Sequence, residues 1–168
     1  MLKRKKKKSF FCIISGGQTG ADQAALDAAI DLGLQHGGWI PKGRKTEAGP
    51  LPTRYQLKEH QSAQYRARTE SNILAAEGTL ICSFGPLSGG SALTEALAIR
   101  HDRPFLHINF DHTPPAQAAT LVEQWLDQHS ITTLNVAGPR ASNDARIYQA
   151  VYALMTAVTY PLQKNLLP

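Results

Sequence analysis

Phe10-Phe11-Cys12-Ile13-Ile14-Ser15-Gly16-Gly17-Gln18-Thr19-Gly20-Ala21-Asp22 is the stretch that decides the fold. The apolar run Phe10 to Ile14 reads as a strand buried on both faces. Glycines then allow the chain to turn sharply. From Ala21 onward Ala25, Leu26, Ala29 and Ile30 recur at helical spacing, and Gly33 is a suitable stop. A helix starting there aims its unpaired N–H groups and the positive end of its dipole at whatever lies in front. Ser15 to Asp22 is therefore expected to be a strand-to-helix turn able to hold an anion.

The same grammar recurs twice. Ser88-Gly89-Gly90-Ser91, with Thr94 and Glu95, follows the apolar run Thr79 to Phe84. Gly138-Pro139-Arg140-Ala141-Ser142 follows Thr133 to Ala137. Between them lie a short strand at Gly37 to Ile40, a helix at Tyr65 to Ala76, and a helix at Ser91 to Arg100. A strand at Pro104 to Ile108, an amphipathic helix at Pro115 to His129 and a last helix at Ser142 to Val158 complete the reading. Strands alternating with helices imply an α/β domain: a mostly parallel sheet of about five strands with helices on both faces. Right-handed crossovers then put every strand's C-terminal end on one edge. Ligands bind there, where strand order reverses. All three glycine turns fall on that edge, so one crevice for a phosphate-bearing ligand is expected.

Composition narrows the class. A chain of 168 residues, 42% hydrophobic, is enough for one domain with a real core. That domain is placed at residues 9–160, between a disordered basic tail at 1–8 and a C-terminal tail at 161–168. Of the net charge of +5, six positive charges come from Lys3, Arg4, Lys5, Lys6, Lys7 and Lys8, leaving a body near −1. A nearly neutral body makes a nucleic-acid partner unexpected. The apolar runs are too short for a membrane span, and a cytoplasmic location is expected. Cys12 and Cys82 sit in strand-like runs and read as buried thiols. The histidines show no ligand spacing, so no metal site is expected. His107 alternates with apolar neighbours and reads as a core or edge-of-site histidine.

Lys42 to Ser62 stands apart. It is polar, has no clean periodicity, and carries Arg44, Lys45, Glu47, Arg54 and Tyr55. It reads as a binding flap, with a disordered insertion as the alternative.

The first turn is not a P-loop, because no Gly-Lys-Ser/Thr follows. It approaches Gly-x-Gly-x-x-Gly, with Ser15 in place of the first glycine, but no acid follows the second strand to grip a ribose. Asp22 either binds ligand hydroxyls or an ion, or complements the dipole of its own helix. Trp39, Tyr55 and Tyr65 are candidates for stacking on a ring, though packing explains an aromatic equally well.

Gly16-Gly17-Gln18-Thr19-Gly20-Ala21-Asp22, Pro41-Lys42-Gly43-Arg44, Arg54-Tyr55-Gln56-Leu57, Arg68-Thr69-Glu70-Ser71-Asn72, Gly78-Thr79-Leu80-Ile81, Gly89-Gly90, Thr94 and Asn135-Val136-Ala137-Gly138-Pro139-Arg140 together resemble the "putative molybdenum carrier" family. It is also described as the circularly permuted YpsA-like branch of the SLOG superfamily. Ala48 departs from the pattern, which has an acid there, and Glu77 stands in place of Asp. The resemblance implies a single three-layer Rossmann-like domain that binds a nucleotide-derived or pterin-type ligand, with molybdenum cofactor or a nucleotide as the candidate cofactor. Turns and motifs together nominate Gly16, Gly17, Gln18, Thr19, Gly20, Asp22, Lys42, Arg44, Gly89, Gly90, Ser91, Thr94, Gly138, Arg140 and Ser142 as ligand-binding residues. Related folds pair through helices flanking the sheet, which implies a homodimer.

A more distant similarity, to the cytokinin-activating phosphoribohydrolases, implies a different activity. Arg68-Thr69, the strand at Thr79 to Phe84, and Gly89-Gly90 with Thr94-Glu95 resemble their motif series, though the glycine spacing differs. On that reading Arg68 and Glu95 are catalytic candidates for cleaving the N-glycosidic bond of a nucleoside monophosphate. The alternative is that Glu95 complements its own helix dipole and Arg68 pairs with a nearby carboxylate.

Overall fold

The computed structural model describes residues 11–164. The basic run at 1–8 and residues 165–168 lie outside the described residues. The elements in chain order are β1 (Cys12–Ile14), α1 (Ala21–Asp31), β2 (Gln35–Gly37), β3 (Trp39–Ile40), β4 (Lys45–Thr46), β5 (Gly49–Pro50), β6 (Lys58–Glu59) and α2 (Tyr65–Ala75). There follow β7 (Gly78–Ser83), α3 (Gly89–Arg100), β8 (Phe105–Asn109), α4 (Pro115–Gln128), β9 (Thr133–Ala137) and α5 (Ile147–Lys164).

Five strands form one sheet in the order β2-β1-β9-β7-β8, and every pairing in it is parallel. The last strand of the chain thus lies at the centre. Counted from β9 through β1, β2, β7 and β8, the sheet has the 3-2-1-4-5 order of a doubly wound Rossmann-type sheet. The strand that ordinarily comes first has moved to the end of the chain. The reversal point lies between β9 and β7, so the crevice expected of this topology opens at their C-terminal ends.

Alternation along each strand sorts side chains between the two layers. Leu80 and Cys82 of β7, Leu134 and Val136 of β9, Ile13 and Ile108 point into the main core. There they meet Ala24, Ala25 and Ala28 of α1, Ala118 and Val122 of α4, and Ile147 and Val151 of α5. The alanines of α1 are fully buried, and such small side chains let α5 lie close against α1. On the opposite face α2 and α3 cover the sheet with Ile73, Leu97 and Ala98. That face carries polar side chains from the strands, Thr79, Ser83 and Asn135, all buried. Asn135 Nδ2 donates to Thr79 Oγ1 at 3.3 Å, so this face is satisfied internally.

Several expectations change at the level of elements, and the alternative left open for Lys42 to Ser62 is decided. Gly37 to Ile40 is not one strand. Gly38 has φ +123, and a Cβ there would stand 2.1 Å from the Ser15 carbonyl, so the chain breaks there. Gln35–Gly37 joins the main sheet, while Trp39–Ile40 pairs with Lys58–Glu59. The segment from Lys42 to Ser62 is an ordered flap rather than a disordered insertion. It holds the β4–β5 hairpin and buries Leu51, Tyr55 and Leu57 against Leu26 and Ile40. Helix α3 begins at Gly89, two residues before Ser91, with Ser88 as its N-cap. Helix α5 begins at Ile147, not Ser142, because local bonds compete with the helix: Asn143 and Asp144 donate to the Arg140 carbonyl, and the Asp144 carboxylate accepts the Arg146 N–H at 3.0 Å. It also continues to Lys164, into the segment read as a C-terminal tail, with Pro161 inside it. Among the described residues no helix is long and apolar enough to cross a membrane.

Candidate ligand-binding site

A cavity of about 800 Å³ opens at the C-terminal ends of β7 and β9. Its wall takes Gln18 and Asp22 from the turn after β1, and Tyr65 and Arg68 from the start of α2. Ser88 to Ser91 and Thr94 come from the entry to α3, and Gly138, Arg140 and Ser142 from the turn after β9. All three glycine turns therefore meet at one crevice. The first turn of α3 has no side-chain cap, so the amides at Gly89 and Gly90 face the cavity without a competing side chain.

One end of the cavity is cationic. The ring of Tyr65 is flanked by three positive groups: Lys45 Nζ at 4.9 Å, Arg140 Cζ at 5.3 Å and Arg68 Cζ at 5.7 Å from its centroid. Each gains from the ring's negative face. Gathering like charges around one ring still costs repulsion, which a bound anion relieves. The wall also carries apolar side chains, those of Phe84, Pro86, Leu87 and Leu93. Arg146 lies 4.0 Å above the Phe84 ring and Phe110 packs at its side, 5.3 Å away, so the ring is held in place.

Asp22 is the carboxylate of the cationic end. It is almost wholly buried, and Arg68 Nη1 lies 3.4 Å from its Oδ2. Its Oδ2 also accepts the Gln18 N–H at 3.2 Å. Burial pushes its carboxyl above the usual carboxylate range, against the lowering pull of Arg68, of the Gln18 and Gly16 amides and of Arg140. Arg68 reaches this place because residue 16 has no side chain: a Cβ on Gly16 would lie 1.7 Å from Arg68 Nη1. Gly16→Ala is thus expected to push the guanidinium off Asp22. The obstacle is the far end of a flexible side chain, so the guanidinium shifts and keeps part of its pull on Asp22: the stability loss should stay below the roughly 3 kcal/mol expected for removing Arg68 altogether, while phosphate affinity drops about tenfold. Calorimetric titration and a thermal melt read the two effects; an unchanged affinity would show that Arg68 has no part in binding.

Several nominated residues lie outside the cavity wall. Gly17 packs against Leu51 and Leu57 of the flap, and Gly20 against the Pro139 carbonyl. Lys42 is exposed. Arg44 is structural: its guanidinium donates to the carbonyls of Leu51, Pro52, Tyr55 and Leu57 and knits the flap together. Thr19 bonds Glu47 beside the cavity. Glu95 is half-buried on α3 and absent from the wall, because the turns of α3 present Gly90, Ser91 and Thr94 to the cavity instead. Of the aromatic candidates only Tyr65 reaches the cavity. Tyr55 is buried in the flap core, and Trp39 is clamped by Asn72, which bonds both its N–H and its carbonyl.

Reading the sequence missed Phe84, Asn143 and Asp144 in the wall. Phe84 directly follows β7, and the signal available was its position one residue past a strand that feeds a glycine turn. His107 lies at the site's edge: its Nε2 is 2.7 Å from Ser83 Oγ, a wall residue, and burial lowers its pKa.

Glu47, at the tip of the β4–β5 hairpin, ties the flap to two of the turns. Its carboxylate accepts from the Thr19 hydroxyl, from Ser142 Oγ and from the Ser142 N–H at 3.2 Å, and Arg140 Nη1 lies 3.9 Å away. These bonds, those of Ser142 and Thr19 foremost, hold its carboxyl below the usual range. Among the described residues no cluster of His, Cys, Asp and Glu is arranged to hold a metal ion.

Comparison with known proteins agrees with this architecture. A crystal structure at 1.45 Å, described as that of a "Putative molybdenum carrier protein" from Syntrophus aciditrophicus SB, is similar at 50% identity and a TM-score of 0.88, over 91% of this chain and 97% of that one. No curated protein matches the chain. A family profile described as the circularly permutated YpsA SLOG family matches residues 13–159, the stretch from β1 into α5 over which the permuted sheet is built. The chain belongs to the circularly permutated YpsA SLOG family.

Proposed function

We propose that this protein is a binding protein, a carrier or sensor, for a phosphorylated ligand with a flat ring system, nucleotide-like or pterin-like. The observation that carries this reading is that cationic and apolar side chains share one cavity wall. Arg68 and Arg140 of the wall, with Lys45 beside it, gather around the Tyr65 ring, and the same wall carries Phe84, Leu87 and Leu93. Guanidinium groups and uncapped helix amides suit a phosphate, and an aromatic wall suits a ring. A volume of about 800 Å³ lies within the range of cofactor pockets. The structurally similar protein described as a "Putative molybdenum carrier protein" supports molybdenum, carried as its cofactor, as one candidate cargo. The phosphate and pterin of such a cargo would meet the guanidinium groups and the aromatic wall, and among the described residues no cysteine lines that wall.

The hydrolytic alternative loses its proposed carboxylate, since Glu95 is absent from the wall. Asp22, the buried carboxylate present, is held by Arg68 and the Gln18 amide. Native mass spectrometry of freshly purified protein, followed by titration with matched pairs (nucleoside and nucleoside monophosphate, pterin and pterin phosphate), tests the reading. The phosphorylated member of a pair is expected to bind and its partner to bind far less. Equal binding, or none, would sink the proposal. Glu95→Gln is expected to leave binding unchanged, with no base released by either protein. Base release by the wild type that disappears in Glu95→Gln would replace a carrier with an enzyme.

A further inference from the structure

Beside the cavity, donors from two of the glycine turns already hold an anion, and it belongs to the chain. The inference rests on the proposed reading of the cavity as a phosphate site. The donors that meet the Glu47 carboxylate come from two glycine turns: the Thr19 hydroxyl after β1, and the N–H and hydroxyl of Ser142 after β9. Arg140, from the same turn as Ser142, completes the set with Nη1 at 3.9 Å. Hydroxyls, a turn amide and a guanidinium are the partners a phosphate oxygen takes. Glu47 is in place because its hairpin is docked as well: its own N–H donates to Gln18 Oε1 at 3.0 Å.

Gln18 supplies an independent sign of a missing ligand. It lines the cavity and is only 6% exposed, yet its Nε2 has no hydrogen-bond partner among the described residues. A buried amide donor left unpaired costs stability. Its acceptor oxygen is spent on Thr19 and on the hairpin, while its donor side lacks the acceptor that a ligand oxygen supplies.

We infer that Glu47 stands in for the ligand's phosphate, so that the two compete for Thr19, Ser142 and Arg140 and the ligand enters by displacing Glu47 and freeing the hairpin at Lys45 to Pro50. Glu47 then sets selectivity. A tethered carboxylate acts at an effective concentration on the order of millimolar. A free monocarboxylate makes no more bonds than Glu47 does and fails to displace it at lower concentration. A phosphate dianion brings more oxygens and more charge, and it wins. Glu47 also lowers the affinity of the phosphate that does bind, because only the fraction of molecules with the hairpin released is competent.

The test compares wild type, Glu47→Ala and Glu47→Gln by calorimetric titration with inorganic phosphate and with AMP. Glu47→Ala is expected to bind both about tenfold more tightly, and Glu47→Gln about threefold, since Gln keeps acceptors for Thr19 and Ser142 but loses the charge. In the wild type AMP should also speed tryptic cleavage at Lys45, as the hairpin is released. Weaker binding in the variants would show that Glu47 is a clasp closing on the ligand, and equal binding that it takes no part; either rejects the competition, while wild-type binding leaves the phosphate reading standing. Absence of binding in all three, each with a cooperative melt, would overturn both. If Glu47→Ala does not melt cooperatively, Glu47→Gln decides: unchanged affinity there rejects the competition.

Discussion

Arg68→Ala is expected to abolish binding of phosphorylated ligands and to cost about 3 kcal/mol of stability at neutral pH. The size of the effect follows from what Arg68 leaves behind. Its side chain is 13% exposed and that of Asp22 5%, so the pair is screened little by solvent. Without the guanidinium, Asp22 keeps the amides of Gln18 and Gly16 and the more distant Arg140 as its charge partners. Its carboxyl, already raised by burial, rises further once its largest lowering partner is gone. A carboxyl whose folded pKa lies above its unfolded value binds more protons folded than unfolded. Stability therefore falls as pH rises through that window and recovers as pH falls. The deficit of Arg68→Ala relative to wild type should be largest at neutral pH and shrink at acid pH as Asp22 takes up a proton. Adding Asp22→Asn should restore most of the melting temperature at neutral pH without restoring binding. Melting curves at the two pH values are the check. A deficit independent of pH would mean that Arg68 supports the fold by packing on Gly16 and Tyr65 and not by its charge.

Arg140→Ala should leave the melting temperature nearly unchanged and weaken phosphorylated ligands about thirtyfold, the equivalent of about 2 kcal/mol for a charged hydrogen bond. The difference from Arg68 is exposure. Arg140 is 36% exposed, and its ion pair with Glu47 is long at 3.9 Å, so little folding energy rests on it. Its value is to the ligand, as part of the turn after β9 beside the uncapped start of α3. Dephosphorylated ligands should lose less than about twofold, because they never use the guanidinium. Isothermal titration of each matched pair against wild type and variant measures both losses. Equal losses for the two ligands would remove Arg140 from the phosphate subsite.

The strand-turn-helix from Cys12 into α1 shows why much of the fold was legible. A run of buried aliphatics, glycines, then alanines at helical spacing is a local pattern, and each of its parts is favoured by short-range physics. The same holds for β7, β8 and β9, whose bounds differ little from those expected, and for the meeting of the three turns, which follows from a parallel sheet alone. Residues 138–146 show where local reasoning stopped. Ser142 looked like a helix start, but Asp144 and the Arg140 carbonyl tie up that segment and delay α5 to Ile147.

The sequence by itself determined the α/β class, the parallel sheet and the family, and it nominated residue types suited to an anion, because periodicity, turn chemistry and motif spacing are properties of neighbours along the chain. Tertiary structure decided which of those residues share a surface. It placed Arg44 in the flap's own scaffold and Glu95 off the cavity wall, and it brought Phe84 in. It also seated Glu47 on Thr19, Arg140 and Ser142, across 28 and 95 residues of chain. Contacts of that separation depend on how the flap packs on α1 and on β9 lying at the centre of the sheet, and no local pattern records either.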